Sequence, residues 1–351
     1  MAIDWTKSMQ QLFEYYTVDP YTWRDRDLLK TITACTIDRD ENSSTLGSAS
    51  IDMTESLNEC YVRVYLVVNQ NGETDKEPLG TFLVQTPSVS FNGRVQSITA
   101  DAYTPLIELK EKKPPIGYTV RKKTNIINLV TSLCKENMRT PVIATKSSST
   151  ASRDFVAGVD DTWLEFLTDL LGSADYSFGL DDRGNVIFSP QQDVVSLQPI
   201  WTYNDGNSSI LYPDISINRD LYSIPNVVEV LYSGDSTTLF ARAVNDDPNS
   251  LISTVGRGRE IIHRASNLSL LGTPTQEFLN SYAKQLLRNM SAVEYSLTYS
   301  HGYCPVRIGD CVRLNYPAAG LQNVKAKVVS QSITCRPGTP VSETAIFTKN
   351  L

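Results

Sequence analysis

The 351-residue sequence has few of the groups that catalysts rely on. Its two histidines, His263 and His301, have no cysteine or acid at triad-like or metal-like spacing, so both read as surface or satisfied core positions. There is no Walker loop, no GxSxG elbow, no HExxH and no GxGxxG after a strand. The six cysteines (Cys35, Cys60, Cys134, Cys304, Cys311 and Cys335) are scattered through apolar segments without a CxxC pair. They read as buried thiols rather than disulfides or metal ligands. The expectation is a protein with no catalytic residue, no cofactor and no metal, that is, not an enzyme. No run approaches the roughly 18 apolar residues of a membrane helix. The opening Met1-Ala2-Ile3-Asp4-Trp5 lacks the basic flank and apolar segment of a signal peptide. No membrane anchor is expected, and folding in a cytoplasm is.

Positive charge is also short: 32 Lys and Arg stand against 39 Asp and Glu. Residues 1–110 carry 9 basic and 16 acidic side chains, a net of −7, while residues 111–200 and 201–351 are near neutral. Such a chain does not collect counterions from phosphates, which disfavours stable nucleic-acid binding but leaves transient passage of DNA past an acidic wall open. With 41% apolar residues and a length beyond the roughly 250 residues of a single core, two or more packed regions are expected.

What is present is mostly strand. Short runs from Leu28 to Glu108, with Asn69-Gln70-Asn71-Gly72 and Asn92-Gly93 as turns, predict a small antiparallel barrel or sandwich in residues 1–110. Beyond Pro114-Pro115, residues 111–200 predict an α/β insert. Ile126, Ile127, Val130, Leu133 and Cys134 recur at helical spacing after Thr124, and Thr162 to Glu165 form a capping box ahead of Trp163 to Leu171. Two short strands then flank Asp181-Asp182-Arg183-Gly184-Asn185 as a hairpin. Strands return in 201–245 and 291–351, which are expected to form a second, split barrel around a loop-and-helix insert at 246–290. That insert holds the strongest helix pattern, with Thr273 as N-cap, Pro274 at the first helical position and Gln276 completing a capping box. The fold class is therefore mainly β with α/β insertions: two tube-like antiparallel barrels and two small insert domains.

Several polar clusters carry weaker signals. Asp160-Asp161, Asp181-Asp182 and Asp246-Asp247 have the pairing that acid/base catalysis or calcium would use, and a hydrolase working through such a pair is one rival reading. Each pair lies beside a cap or turn, where Asp bonds its own backbone. Lys112, Lys113, Arg121, Lys122 and Lys123 read as a solvated linker because no aromatic stacking platform accompanies them. Arg257-Gly258-Arg259 suits an intersubunit ion pair or an anion contact. Tyr118-Thr119-Val120 followed by Lys122 to Ile127 resembles the opening of a LysM glycan-binding module, although Lys123-Thr124-Asn125 replaces its usual Gly-Asp-Thr.

Four segments in order carry a broader resemblance. They are Gly80 to Val84 with 95–103; Trp163 to Leu171 leading to Asp181 through Pro190; Asn226 to Val230 with Ser250 to Ser253 and Arg257-Gly258-Arg259; and the 274–290 helix before Ile308-Gly309-Asp310-Cys311-Val312-Arg313-Leu314. Their order is similar to that of the hub proteins of bacteriophage tails, baseplates and related contractile injection systems. The resemblance implies a virion structural protein at the tail tip or baseplate, assembled in the host cytoplasm as a homotrimer whose six barrels form a pseudo-sixfold ring. Implied partners are the tail tube protein, a spike or central fibre protein, the tape-measure protein and other baseplate subunits, with DNA passing transiently on ejection. If the acidic first domain faces the ring's lumen, it repels the passing phosphates. The alternative is a cell-wall glycan-binding tail protein acting through residues 111–200.

Overall fold

Period-two alternation of side chains becomes strand along most of the chain. The computed structural model describes residues 3–350 except 92, 95, 144, 193, 195, 207, 208, 220, 223, 234–237 and 267–274. The first residues form β1 (Gln10–Val18), β2 (Asp25–Leu28), β3 (Ile32–Asp40), β4 (Gly47–Met53), β5 (Cys60–Gln70), β6 (Glu73–Phe91) and β7 (Gln96–Tyr103). Then come α1 (Ile107–Glu111), β8 (Thr119–Val120), α2 (Ile126–Asn137), β9 (Phe155–Val156), α3 (Trp163–Gly172), β10 (Tyr176–Leu180) and β11 (Val186–Pro190). β12 (Pro199–Asn204), β13 (Leu211–Arg219), β14 (Val227–Ser233), β15 (Thr238–Val244), α4 (Thr254–Arg257), β16 (Ile262–Ala265) and α5 (Gln276–Met290) follow. The chain ends in β17 (Ala292–Gly302), β18 (Cys311–Tyr316), β19 (Leu321–Thr334) and β20 (Pro340–Asn350). It divides into two compact units, Met1–Ile215 with Thr298–Ala345, and Ser216–Leu297 with Ile346–Leu351.

In the first unit the strands run β17-β20-β19-β3-β4-β7-β6-β5-β1-β2, with β12 joined through β18 to β19. The expected mainly-β class with small insertions is what the structure has, and among the described residues no barrel closes. β3 pairs with β19 from Thr36↔Thr334 to Asp40↔Ser330, so strands from both ends of the chain share one sheet. The physical reason is matching alternation: Cys35 and Ile37 bury with Ile333 and Cys335 in one core. Among the described residues the strand order is open. The β5–β6 turn follows its sequence, with Asn71 (φ 54°) and Gly72 (φ 84°) both in the left-handed region that a tight hairpin needs. Val95, expected to open a strand, and Asn92 of the second turn lie outside the described residues.

The helices of residues 111–200 bury Ile126, Val130, Leu133, Leu167 and Leu170 against Val186 and Phe188 of the β10–β11 pair. α3 has the expected capping box: the Thr162 hydroxyl accepts from the Glu165 backbone NH and the Glu165 carboxylate accepts from Thr162. α2 is capped by Asn125 rather than Thr124, because the Asn125 carbonyl accepts the first helical bond, from the Leu129 NH, and its side chain then reaches the Asn128 NH.

In the second unit β14 pairs antiparallel with β15 and parallel with β16. These three strands form a sheet of their own, and α5 covers its apolar face. Leu279, Ala283 and Leu287 pack on Val228, Val230, Ala241 and Ala243. Thr273 and Pro274 lie outside the described residues. The cap is Thr275, whose hydroxyl accepts from the Phe278 NH at 3.2 Å.

Leu279 is fully buried. Leu279→Ala is expected to cost the second unit about 2–5 kcal/mol, read as a lower midpoint in urea unfolding; an unchanged midpoint would contradict the packing.

Candidate functional site

The polar groups that the first unit buries are structural anchors, and they begin on β5. Its central Arg63 is 2% exposed and pairs with Asp25 at 2.7 Å. The Tyr65 hydroxyl donates to the same carboxylate at 2.7 Å. A buried guanidinium is tolerable only when its donors are used. Arg63 Nε donates to the Thr81 hydroxyl (2.8 Å), and Nη2 donates to the backbone carbonyl of Arg183 (3.2 Å). That carbonyl also accepts from the Trp23 indole (3.0 Å) and from Thr81 (2.8 Å). The tip of the β10–β11 hairpin is thereby seated on the β1–β6 side of the sheet. Gly184 is required there twice over: its φ is +77°, and a Cβ would lie 2.8 Å from that of Thr81.

A second anchor stands at Glu108 on α1, which accepts from the Tyr61 hydroxyl (2.6 Å), the Arg139 side chain (2.5 Å) and the Arg139 NH (2.8 Å). Burial, then the hydrogen bond to Glu108, holds the Tyr61 phenol above its usual range. Between the hairpin and the sheet lies a cleft of about 720 Å³. Along it Arg307 pairs with Asp182 and Lys327 with Glu41, and Asp38, Arg39, Asp181 and Asp310 also line it.

The deepest polar cluster surrounds Glu343 and His301, both fully buried. Glu343 Oε1 accepts from the Tyr299 hydroxyl and, at 3.5 Å, from that of Tyr203. Its Oε2 accepts from Gln331 Nε2 (2.7 Å) and lies 3.4 Å from His301 Nε2. His301 Nδ1 donates to the Gly302 carbonyl at 2.7 Å, since a carbonyl only accepts. Burial pushes the imidazole down, but hydrogen bonds to Cys304 and Glu343 and the Glu343 charge outweigh it and raise His301 to about 10.

The residues singled out from sequence are dispersed. Asp160 is exposed beside Lys113, Asp161 accepts from the Gly158 NH, and Asp181 ties the hairpin turn by accepting from the NH groups of Arg183 and Asn185. Asp247 accepts from the Asn249 NH. In the second unit Arg257 donates to the carbonyls of Ile224 (3.1 Å) and Leu221 (3.0 Å), and the Arg259 carbonyl accepts from buried Asn226 (2.9 Å). His263 sits on β16 opposite Val228. Five cysteines are buried free thiols and Cys60 is half-buried. Among the described residues no group of His, Cys, Asp and Glu could hold a metal ion, and no helix is long and apolar enough to cross a membrane. The buried ionic cluster escaped the sequence reading, although Glu343 falls on the apolar phase of Val341 and Ala345, a visible signal of a paired buried charge.

Gly184→Ala is expected to lower stability by about 1–3 kcal/mol through left-handed strain and the clash with Thr81, seen as a fall in Tm; a Tm equal to wild type would show that the hairpin is not seated there. Because His301 is raised above its ordinary 6.5, its contribution is full below that pH and is lost as pH climbs toward about 10. His301→Gln is therefore expected to cost about 3–5 kcal/mol at pH 6, with a gap from wild type that narrows by pH 9 in urea unfolding. A gap that widens with pH would refute the charged pair.

No protein-family model matches the chain, and no curated protein matches it in sequence. Solved structures do. A tail protein from Neisseria meningitidis MC58 superposes with a TM-score of 0.65 at 12% identity, covering 96% of each chain. The 43 kDa tail protein of prophage MuSo2 from Shewanella oneidensis gives 0.64 at 13% identity, over 95% of this chain and 98% of that one. A chain of the Francisella PdpA–VgrG complex gives 0.57 at 10% identity, over 97% of this chain and 53% of that one. The chain has the fold of phage tail proteins, mainly β with small insertions, along nearly its whole length.

Proposed function

We propose that this protein is a structural hub of a phage tail or baseplate: a homotrimer whose pseudo-sixfold ring joins the tail tube to a central spike or fibre and lets DNA through on ejection. The observation that carries this reading is the likeness, over 95% or more of both chains, to two phage tail proteins. The VgrG complex among the matching structures supports the extension to injection machines and to a spike partner. The side-chain chemistry agrees with a scaffold: one member of each Asp pair, Asp161, Asp181 and Asp247, accepts from a nearby backbone NH, and the buried ionic groups are consumed by internal bonds.

In this reading the sheet that residues 1–110 share with strands of 291–351 supplies the ring-forming β region of each copy. Residues 111–200 and 246–290 are the inserts that meet neighbouring baseplate subunits and the end of the tape-measure protein. Arg257 and Arg259 are proposed contacts to a neighbouring copy or an anion. The protein acts in the virion and performs no reaction of its own. One observation favours a second reading, glycan binding through the insert: Ile116, Val156 and Val159 are exposed near the β8–β9 pair and offer an apolar platform. Retention on purified peptidoglycan would support that alternative.

Mass measurement of the purified protein with negative-stain imaging tests the hub directly. A particle of three chains with six lobes is expected, and a monomer that stays single at all concentrations and with tube protein added would contradict it.

A further inference from the structure

β3 and β19 pair down to Thr36↔Thr334, and one step further the ladder sets Cys35 opposite Cys335. The Cys335 NH donates to the Cys35 carbonyl at 2.9 Å, so the two residues stand as a cross-strand pair. Both are buried in the same core, at 2% and 8% exposure, on the apolar phase with Ile37 and Ile333. Their thiols are free and in hydrogen-bonding contact. The Tyr15 hydroxyl reaches Cys335 from β1.

Directly opposite residues of an antiparallel pair have Cα atoms about 4.5–5.5 Å apart. Disulfides span about 4.4–6.8 Å between Cα atoms, so a pair in this position can be bridged with the backbone in place. The neighbouring Cys335 thiol, then burial, holds Cys35 well above the usual thiol range. A thiol that stays protonated is a poor nucleophile, so the pair persists as thiols while the core is closed. Access is set by position. Cys335 is the first residue beyond the end of β19, and Arg336, Pro337 and Gly338 after it are exposed. A strand end and its turn open at lower cost than the middle of a ladder, and that opening uncovers Cys335 first.

We propose that Cys35 and Cys335 are a latent disulfide site, closed by a small-molecule disulfide when the protein meets oxidising surroundings. The Cys335 thiolate attacks one sulfur of the reagent and releases one small thiol, leaving a mixed disulfide. Cys35 then attacks the Cys335 sulfur and releases the second small thiol, so the two protons and two electrons of the protein thiols pass to the reagent. The bond ties a strand from each end of the chain and encloses most of the residues between them, the case in which a cross-link restricts the unfolded chain most. The site does not depend on the hub reading; that reading adds only the passage from a reducing cytoplasm to the surroundings of a virion.

Incubation of the full-length protein with oxidised glutathione in urea just below its unfolding transition, followed by alkylation of the remaining thiols and non-reducing digestion, tests the site. One linked peptide containing Cys35 and Cys335 is expected. The urea midpoint of the oxidised protein is expected to rise and to fall back with reductant. Cys335→Ser is expected to lose both the linked peptide and the rise, and the wild-type digest decides even if this variant does not fold. Recovery of Cys35 and Cys335 as free or glutathione-bound residues, their linkage to any other cysteine, or a linked chain with an unchanged midpoint would overturn the proposal. None of these outcomes would bear on the hub.

Discussion

A β-strand turns successive side chains to opposite faces, and almost every feature of the first unit depends on that constraint. Once β3 and β19 pair, one phase of the sheet is committed to the core from β17 to β7, and every polar residue on that phase must find an internal partner. A single-residue slip would exchange the two faces and drive Thr36, Ser50 and Asp101 inward. The apolar set Ile37, Ile51, Ala100 and Ile333, all fully buried, is what fixes the register against that slip.

The polar residues on the buried phase show how the constraint is met. Fully buried Glu343 is held by two tyrosines, Gln331 and the raised imidazole of His301. Arg63 is treated the same way, with Asp25, Thr81 and the Arg183 carbonyl taking its donors. This second cluster also has a positional effect, because the carbonyl belongs to the hairpin after α3. Residues far apart in sequence are thus locked to the sheet by backbone acceptors, which no side-chain motif reveals.

Local patterns were legible in the sequence. The α3 capping box, the Asn71-Gly72 turn, the hairpin around Asp181 to Asn185 and the apolar stripe of α5 could all be read, because each depends on residues a few positions apart. Strand β1 was not: Leu12 and Tyr16 fall on one phase and Phe13 and Tyr15 on the other, so its alternation is blurred. The sharing of one sheet by β3 and β19 was also illegible, since two alternating strands do not name each other as partners. The acidic excess of residues 1–110 was legible only as a total; register and packing are what separate Asp38, Asp52 and Asp101 on one face from Asp25 and Glu108, which hold internal partners.

The likeness to tail proteins at 12–13% identity fits this division of labour: the alternation and the anchors make the fold, and many sequences can supply them. The central claim is that strands from the two ends of the chain form one sheet over one core. Native-state hydrogen exchange tests it most directly, by comparing the amides of Ile32–Asp40 with those of Leu321–Thr334 as denaturant is raised. The account predicts that the two segments lose protection together, with one opening free energy. Exchange of either strand while the other stays fully protected would contradict it.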